Sequence, residues 1–212
     1  MSVLGPHEFF AWTTLDGDTI YSNDSADITI NNIPIITSYP YLEDFEDGDG
    51  GWTQGGVSST WALGNPADDI INGPPPTTPS SENSWVTNLD GDYNKYENSY
   101  VLGPCFDFEP LTLPYVQLDV WWATPDFWDG ARLEYSLDAG TTWDVIGDVG
   151  TGDNWYEDGG CYSFGYDPVT GIYNPAWEGS GGGWKTAYHD ISFLAGEPQV
   201  QFRVHFASSF YT

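Results

Sequence analysis

The chain has 212 residues, of which 32 are Asp or Glu and 4 are Lys or Arg, a formal charge of -28. That field repels phosphate backbones and anionic headgroups, which argues against nucleic acid and the membrane surface as partners, and no apolar run approaches the ~18 residues of a membrane span. With 11 Trp, 14 Tyr and 11 Phe the chain differs from acidic disordered sequences, and its Gly, Pro and aromatic content predicts an all-β fold.

Residues 7–30, HEFFAWTTLDGDTIYSNDSADITI, read as two strands around DGD and SND turn signals, with Ala26, Ile28 and Ile30 on one face. A lone hairpin is only marginally stable in water, so segment 1–33 reads as the last two strands of an immunoglobulin-like domain. A connector containing Pro34 leads to a second domain over 39–212. It opens with YPYLEDFEDGDGGWTQ, an aromatic-acidic strand before a Gly-rich turn, and STWALG, SWVTNL and NSYVLGPCFDF follow as short strands. In YVQLDVWW, Val116, Leu118, Val120 and Trp122 alternate with Gln117, Asp119 and Trp121, which places the last three on the outer face. ARLEYS and TTWDVIGDV form a hairpin. GWKTAYHDIS and VQFRVHF complete the set, the latter burying Val200, Phe202, Val204 and Phe206 and turning His205 outward, where a solvated imidazole is expected. About eight short strands with one-faced alternation describe a two-sheet antiparallel sandwich. The excursion between Gly150 and Gly183 is long enough to cover a sheet face or carry function.

Catalytic templates fail. HEFFA lacks the second histidine of a zinc-protease helix, no GxSxG elbow occurs, and with so many acids a carboxylate pair carries no information. The expectation is a protein that is not an enzyme. Residues 88–100, NLDGDYNKYENSY, set Asp90, Asp92, Asn94 and Glu97 at the alternating spacing of a calcium loop, without the EF-hand frame; the same letters equally describe a polar turn. Cys105 and Cys161 lack metal-site spacing, and a disulfide is the favoured reading over two free thiols. Trp121 and Trp128 offer ring faces for stacking on pyranoses, or else pack under the excursion or a neighbouring domain. SLDAGTTW, with Ser136, Asp138, Gly140 and Trp143, resembles the Asp-box hairpin of sialidases and many secreted β proteins. Asp138 then caps the turn amides, Gly140 takes positive φ and Trp143 packs beneath. One box and two arginines, Arg132 and Arg203, do not make a sialidase, so the motif is read as structural.

YLEDFEDGDGGWT, GDYNKYENSYVLGPCFDF, LDVWW, DGARLEYSLDAGTTW and VQFRVHF stand in the order of MAM-like jelly-roll modules, and residues 39–212 resemble such a module of large secreted bacterial surface proteins. The resemblance implies a jelly-roll sandwich with a structural calcium ion drawing on Asp44 and Glu46. It also implies a closing strand of the form GFxIDDV after the equivalent of VHFASSF. Thr212 precedes any such strand, so one sheet position is expected to be empty unless a longer parent chain or a neighbouring copy fills it. The function implied is that of a non-catalytic adhesion or spacer module at the cell surface or outside the cell. Its partners would be a glycan or protein ligand on a surface and neighbouring modules or other copies. The alternative is a carbohydrate-binding accessory module of a secreted hydrolase or protease.

Overall fold

The structure, a computed structural model, describes residues 5–14, 16–17, 19–20, 22, 24–66, 82–157, 160–169 and 171–210. In chain order the strands are β1 (Gly5–Trp12), β2 (Ser25–Asn32), β3 (Ile35–Ile36), β4 (Thr53–Val57), β5 (Trp61–Gly64), β6 (Ser84–Thr87), β7 (Asn98–Phe106) and β8 (Tyr115–Val120). They continue with β9 (Gly130–Ser136), β10 (Asp144–Val145), β11 (Tyr166–Asp167), β12 (Ile172–Tyr173), β13 (Trp177–Glu178), β14 (Lys185–Asp190) and β15 (Val200–Ala207). The protein is all-β, and no helix among the described residues is long and apolar enough to cross a membrane.

The chain divides into two units, residues 1–35 and 36–212. In the first, β1 and β2 form an antiparallel hairpin with Phe9 opposite Ile28, His7 opposite Ile30 and Ala11 opposite Ala26. Strand periodicity therefore gathers these residues on one face, where Phe9, Ile28 and Ile30 stay exposed.

The second unit is a sandwich. Its front is a seven-stranded sheet in the order β10-β9-β15-β7-β3, with β4 also on β7 and β13 also on β9. In its centre Val204 of β15 lies opposite Val101 on one side and Leu133 on the other. Alternation along β15 sends Val200 and Phe202 into a core with Phe106, Phe108 and Leu133 and buries Phe206 against Tyr93. The back layer comes in two separate pieces, the pair β8-β14 and the pair β5-β6. Val116, Leu118 and Val120 of β8 pack onto the core, and Trp61 of β5 meets Phe206 edge-on at 6.4 Å.

The Gly-rich excursion is ordered by aromatic packing. Trp155 and Tyr156 are buried with their ring centroids 4.9 Å from that of Trp177. Between β10 and β13 the edge of β9 lacks a strand, and the excursion fills the hole. Leu133 N donates to the Tyr156 hydroxyl at 2.9 Å, while Leu133 O accepts from Ile146 N at 3.0 Å.

Three expectations are corrected. Residues 42–46 form no strand, because Phe45 N donates to the Glu43 carboxylate at 3.0 Å and Glu46 N to Asp44 at 3.1 Å; side-chain acceptors compete with a ladder for these amides. Cys105 and Cys161 are both buried and free. Cys105 lies beside Gln201, which is opposite Ser136 at one end of β9, whereas the Cys161 thiol donates to Trp128 O at 3.4 Å, next to the other end. Six residues of strand span ~20 Å, against the ~7 Å between α-carbons that a disulfide tolerates. Trp121 lies past the end of β8, half-buried at the wall of the interior, so the outer-face placement does not extend to it.

Candidate functional site

The acidic loop is organised around Glu97, which is only 1 % exposed. Its Oε1 accepts from Thr60 N at 2.8 Å and Ser99 Oγ at 2.6 Å, and its Oε2 from Thr60 Oγ1 at 2.7 Å and Asn94 N at 3.2 Å. Asn94 Nδ2 donates to Ser58 O at 3.0 Å, Asn88 Nδ2 donates to Asp92 O at 2.7 Å, and Asp90 N donates back to Asn88 Oδ1 at 3.1 Å. Calcium needs six to eight oxygens free to converge on it. Here the central carboxylate has its acceptor positions taken by four protein donors, so the loop does not fit a calcium cage. Glu46 is similarly engaged, accepting from Glu82 N at 2.8 Å, Asn83 N at 2.7 Å and Asn83 Nδ2 at 3.2 Å. Asp44 accepts the amide of Glu46. Among the described residues no three His, Cys, Asp or Glu side chains gather as a metal site.

On the outer face of the front sheet lies a cluster that the sequence reading missed. Glu134, 1 % exposed, takes Arg132 on Oε1 and Arg203 on Oε2, with side-chain N···O distances of 2.5 and 2.6 Å. His205 sits 3.0 Å from Glu134 through Nδ1 and 3.0 Å from Asn98 Oδ1 through Nε2. Far from being solvated, this histidine is covered by Phe164 of the excursion, at a ring distance of 5.1 Å. Arg132 stacks on Phe164 at 4.1 Å and Arg203 on Trp143 at 4.3 Å. Burial works to raise the Glu134 pKa, but the hydrogen bond from His205 and the charges of Arg132, His205 and Arg203 outweigh it and hold the carboxyl at about 2.

Trp143 belongs to the Asp-box turn. Asp138 accepts from Ser136 Oγ at 2.8 Å, Thr142 N at 2.8 Å and Thr142 Oγ1 at 2.7 Å; Gly140, at φ +83°, donates to Ser136 Oγ, and Trp143 Nε1 donates to Gly140 O at 3.0 Å. These bonds hold the Asp138 carboxyl at about 2.

Trp128 stands in an aromatic groove of about 470 Å³ with Tyr96, Tyr162 and Phe210, its lining completed by polar residues that include Asn98 and Ser208. Tyr96, Tyr162 and Phe210 are 65 %, 48 % and 56 % exposed, and the Trp128 and Tyr162 rings are 5.0 Å apart. Beside it the buried Asp129 accepts from Tyr93 Oη at 3.0 Å and Ser209 N at 2.5 Å. Burial raises the pKa of Asp129 and, together with that carboxylate, of Tyr93.

The second concavity reaches between the layers and is partly open to solvent. A cavity of about 1280 Å³ opens between the front sheet and the two pieces of the back layer, walled by Trp61, Trp85, Leu118, Trp184, Phe202 and Phe206. The buried indole N–H groups of Trp61, Trp85 and Trp184 and the hydroxyl of Ser84 point to no protein acceptor or donor.

No protein-family model matches the sequence, and no solved structure matches it. The chain is similar to Bacillopeptidase F of Bacillus subtilis (strain 168), with 27% identity over 146 residues. The matched stretch is 68% of this chain and 10% of that protein, so the chain spans a small part of its relative's length.

Proposed function

We propose that the chain is a non-catalytic sandwich module of a larger extracellular protein, spacing neighbouring parts of that protein and contacting a glycan or protein on a surface. The observation that carries this reading is the proportion of the match, 68% of this chain against 10% of the relative, the relation of one module to a multidomain protein. The buried carboxylates support it. Glu97, Asp129, Glu134 and Glu178 all accept structural hydrogen bonds, from Thr60, Ser209, Arg203 and Phe127 among others, whereas an acid–base catalyst must reach a substrate proton. The test is to assay the purified chain on casein and on nitrophenyl glycosides, and to probe glycan arrays and immobilised matrix proteins with it. Retention without turnover is the expected result, and turnover of either substrate class overturns the reading.

A second reading, a carbohydrate-binding accessory module, is favoured by the groove at Trp128, whose exposed rings offer apolar faces beside polar side chains. It expects Trp128→Ala to abolish retention on a glycan array while Trp121→Ala, at the cavity wall, leaves it unchanged. Equal retention by wild type and Trp128→Ala rejects it.

A further inference from the structure

Strand alternation divides the β8–β14 pair into two faces. Val116, Leu118 and Val120 of β8 and the buried Ala187 of β14 pack on the core. Tyr115, Gln117 and Asp119 are thereby turned outward, together with Asp190, Tyr188 and Thr186 across the ladder. The rings of Tyr115 and Tyr188 lie 5.2 Å apart at 33° and are 60 % and 37 % exposed. Each has a carboxylate for a neighbour, since Asp190 stands directly opposite Tyr115 and Asp119 is diagonal to Tyr188. Asp190 Oδ1 accepts from Ser192 N at 2.7 Å, and the bonds from Ser192 hold that carboxyl below the usual range, so it stays charged. Thr186 Oγ1 donates to Asp119 Oδ1 at 2.7 Å. No Lys or Arg of the two strands shares this face. Lys185 has the parity of Ala187 and lies 3.6 Å from Glu157.

Elsewhere in the chain the same combination of ring and carboxylate holds a cation. Arg132 stacks on Phe164 at 4.1 Å while bonding one oxygen of Glu134, and Arg203 stacks on Trp143 at 4.3 Å while bonding the other. These are both of the arginines in the sequence. A guanidinium meets the two demands together, because its flat face lies on a ring while its edge donates to a carboxylate. The outer face of β8–β14 presents ring and carboxylate twice and supplies no guanidinium of its own. A neutral glycan would stack on the rings but leave both carboxylates without a countercharge, and an anionic one meets the field of a chain of charge -28. The sheet also sets a spacing. The row of Tyr115 and Asp190 and the row of Gln117 and Tyr188 are two residues apart, ~7 Å along the strands, which is the advance between every second side chain of an extended segment.

We infer that the outer face of β8 and β14 is a docking site for an extended segment of a partner protein with arginine at alternate positions. One guanidinium lies on Tyr115 beside Asp190, and the next lies on Tyr188 beside Asp119. The inference rests on the protein-contact half of the proposed function and gives that contact its place and chemistry.

The test measures, by calorimetry, binding of the peptide acetyl-Gly-Arg-Gly-Arg-Gly-amide to the 212-residue chain. So acidic a chain attracts any basic peptide, and the variants separate the site from the general field. Tyr115→Leu/Tyr188→Leu leaves the net charge untouched. Asp190→Asn removes one charge from the face, and Asp144→Asn removes one from the exposed end of β10 in the front sheet. The expected result is binding about tenfold weaker in the tyrosine variant and a loss in Asp190→Asn severalfold greater than in Asp144→Asn. The same peptide with lysine for arginine, and one with its two arginines adjacent, are both expected to bind more weakly than the spaced peptide. The inference is overturned if the spaced peptide does not bind, if the tyrosine variant keeps wild-type affinity, if spaced and adjacent arginines bind equally, or if a neutral oligosaccharide displaces the peptide. The comparison of Asp190→Asn with Asp144→Asn decides by itself should the tyrosine variant fail to fold, equal losses overturning the inference. Turnover of casein or a nitrophenyl glycoside overturns the module reading instead, whether or not the peptide binds.

Discussion

Arg203 donates to one oxygen of Glu134 through both Nε and Nη2, each at 2.6 Å. Arg132 takes the other oxygen, so two guanidinium groups on neighbouring strands share one buried counter-charge. Removing that charge leaves two cations without it in a partly dry site, a change that costs ~3–5 kcal/mol in comparable buried pairs. Glu134→Gln, which keeps the volume, is expected to lower the urea midpoint accordingly. A midpoint equal to that of wild type would show the cluster to be energetically idle.

The same carboxyl sets an acid limit. Its folded pKa of about 2 lies below the ordinary 4.5; a depressed acid contributes stability that is present above the unfolded value and lost as pH falls through the folded one. Wild type is therefore expected to lose roughly 3 kcal/mol between pH ~5 and pH ~2 relative to Glu134→Gln. Parallel stability curves for the two proteins across that window would contradict this.

Glu97 makes the opposite demand, for donors rather than cations. Glu97→Gln replaces one acceptor oxygen by an N–H₂ group facing Thr60 or Ser99 and is expected to destabilise by ~2 kcal/mol. Because the carboxylate is already saturated by protein donors, excess EDTA is expected to leave the melting temperature unchanged. A fall of several degrees on chelation would mean that the loop rearranges around a cation.

The thiols offer a chemical check on the fold. Cys161 is fully buried, its pKa pushed up to about 12 by burial, and Cys105 is buried at the far end of the sheet. Both are expected to resist iodoacetamide in the native protein and to be alkylated once it unfolds. Failure to label after unfolding without reductant would reveal a disulfide.

Tyr156→Phe tests the plug in the edge of β9. Without the hydroxyl, Leu133 N loses its acceptor and the cost is expected at ~1–3 kcal/mol, with faster amide exchange at Leu133. Unchanged exchange there would show the strand edge to be protected by other means.

Period-two alternation made β8 and β15 legible in the sequence, because one side of each strand faces a core and the other does not. The turn residues likewise announced the β9–β10 hairpin through Ser136, Asp138 and Gly140. What alternation cannot convey is what covers the outer side. His205 was correctly turned outward, yet Phe164, 41 positions earlier (205 − 164), folds over it, and nothing in the local pattern of either segment announces the meeting. The cysteines failed for a related reason, since counting two of them fixes no register, and register puts them at opposite ends of a strand. In the acidic loop the spacing of Asp90, Asp92, Asn94 and Glu97 was visible, but not that Thr60 and Ser99 would reach Glu97 first.

The scarcity of cations has a mechanical consequence. Arg132 and Arg203 are spent on Glu134, Lys185 lies 3.6 Å from Glu157, and Lys95 rests over the ring of Phe210. Apart from the buried Glu97, Asp129 and Glu178, the other described carboxylates have almost no side chain of opposite sign beside them, so the surface behaves as a polyelectrolyte. Modules of this kind strung along one chain would repel their neighbours over a Debye length of ~10 Å at moderate salt and ~30 Å in dilute solution. Such a string stiffens and lengthens as its medium is diluted and slackens in brine, making its reach a function of ionic strength.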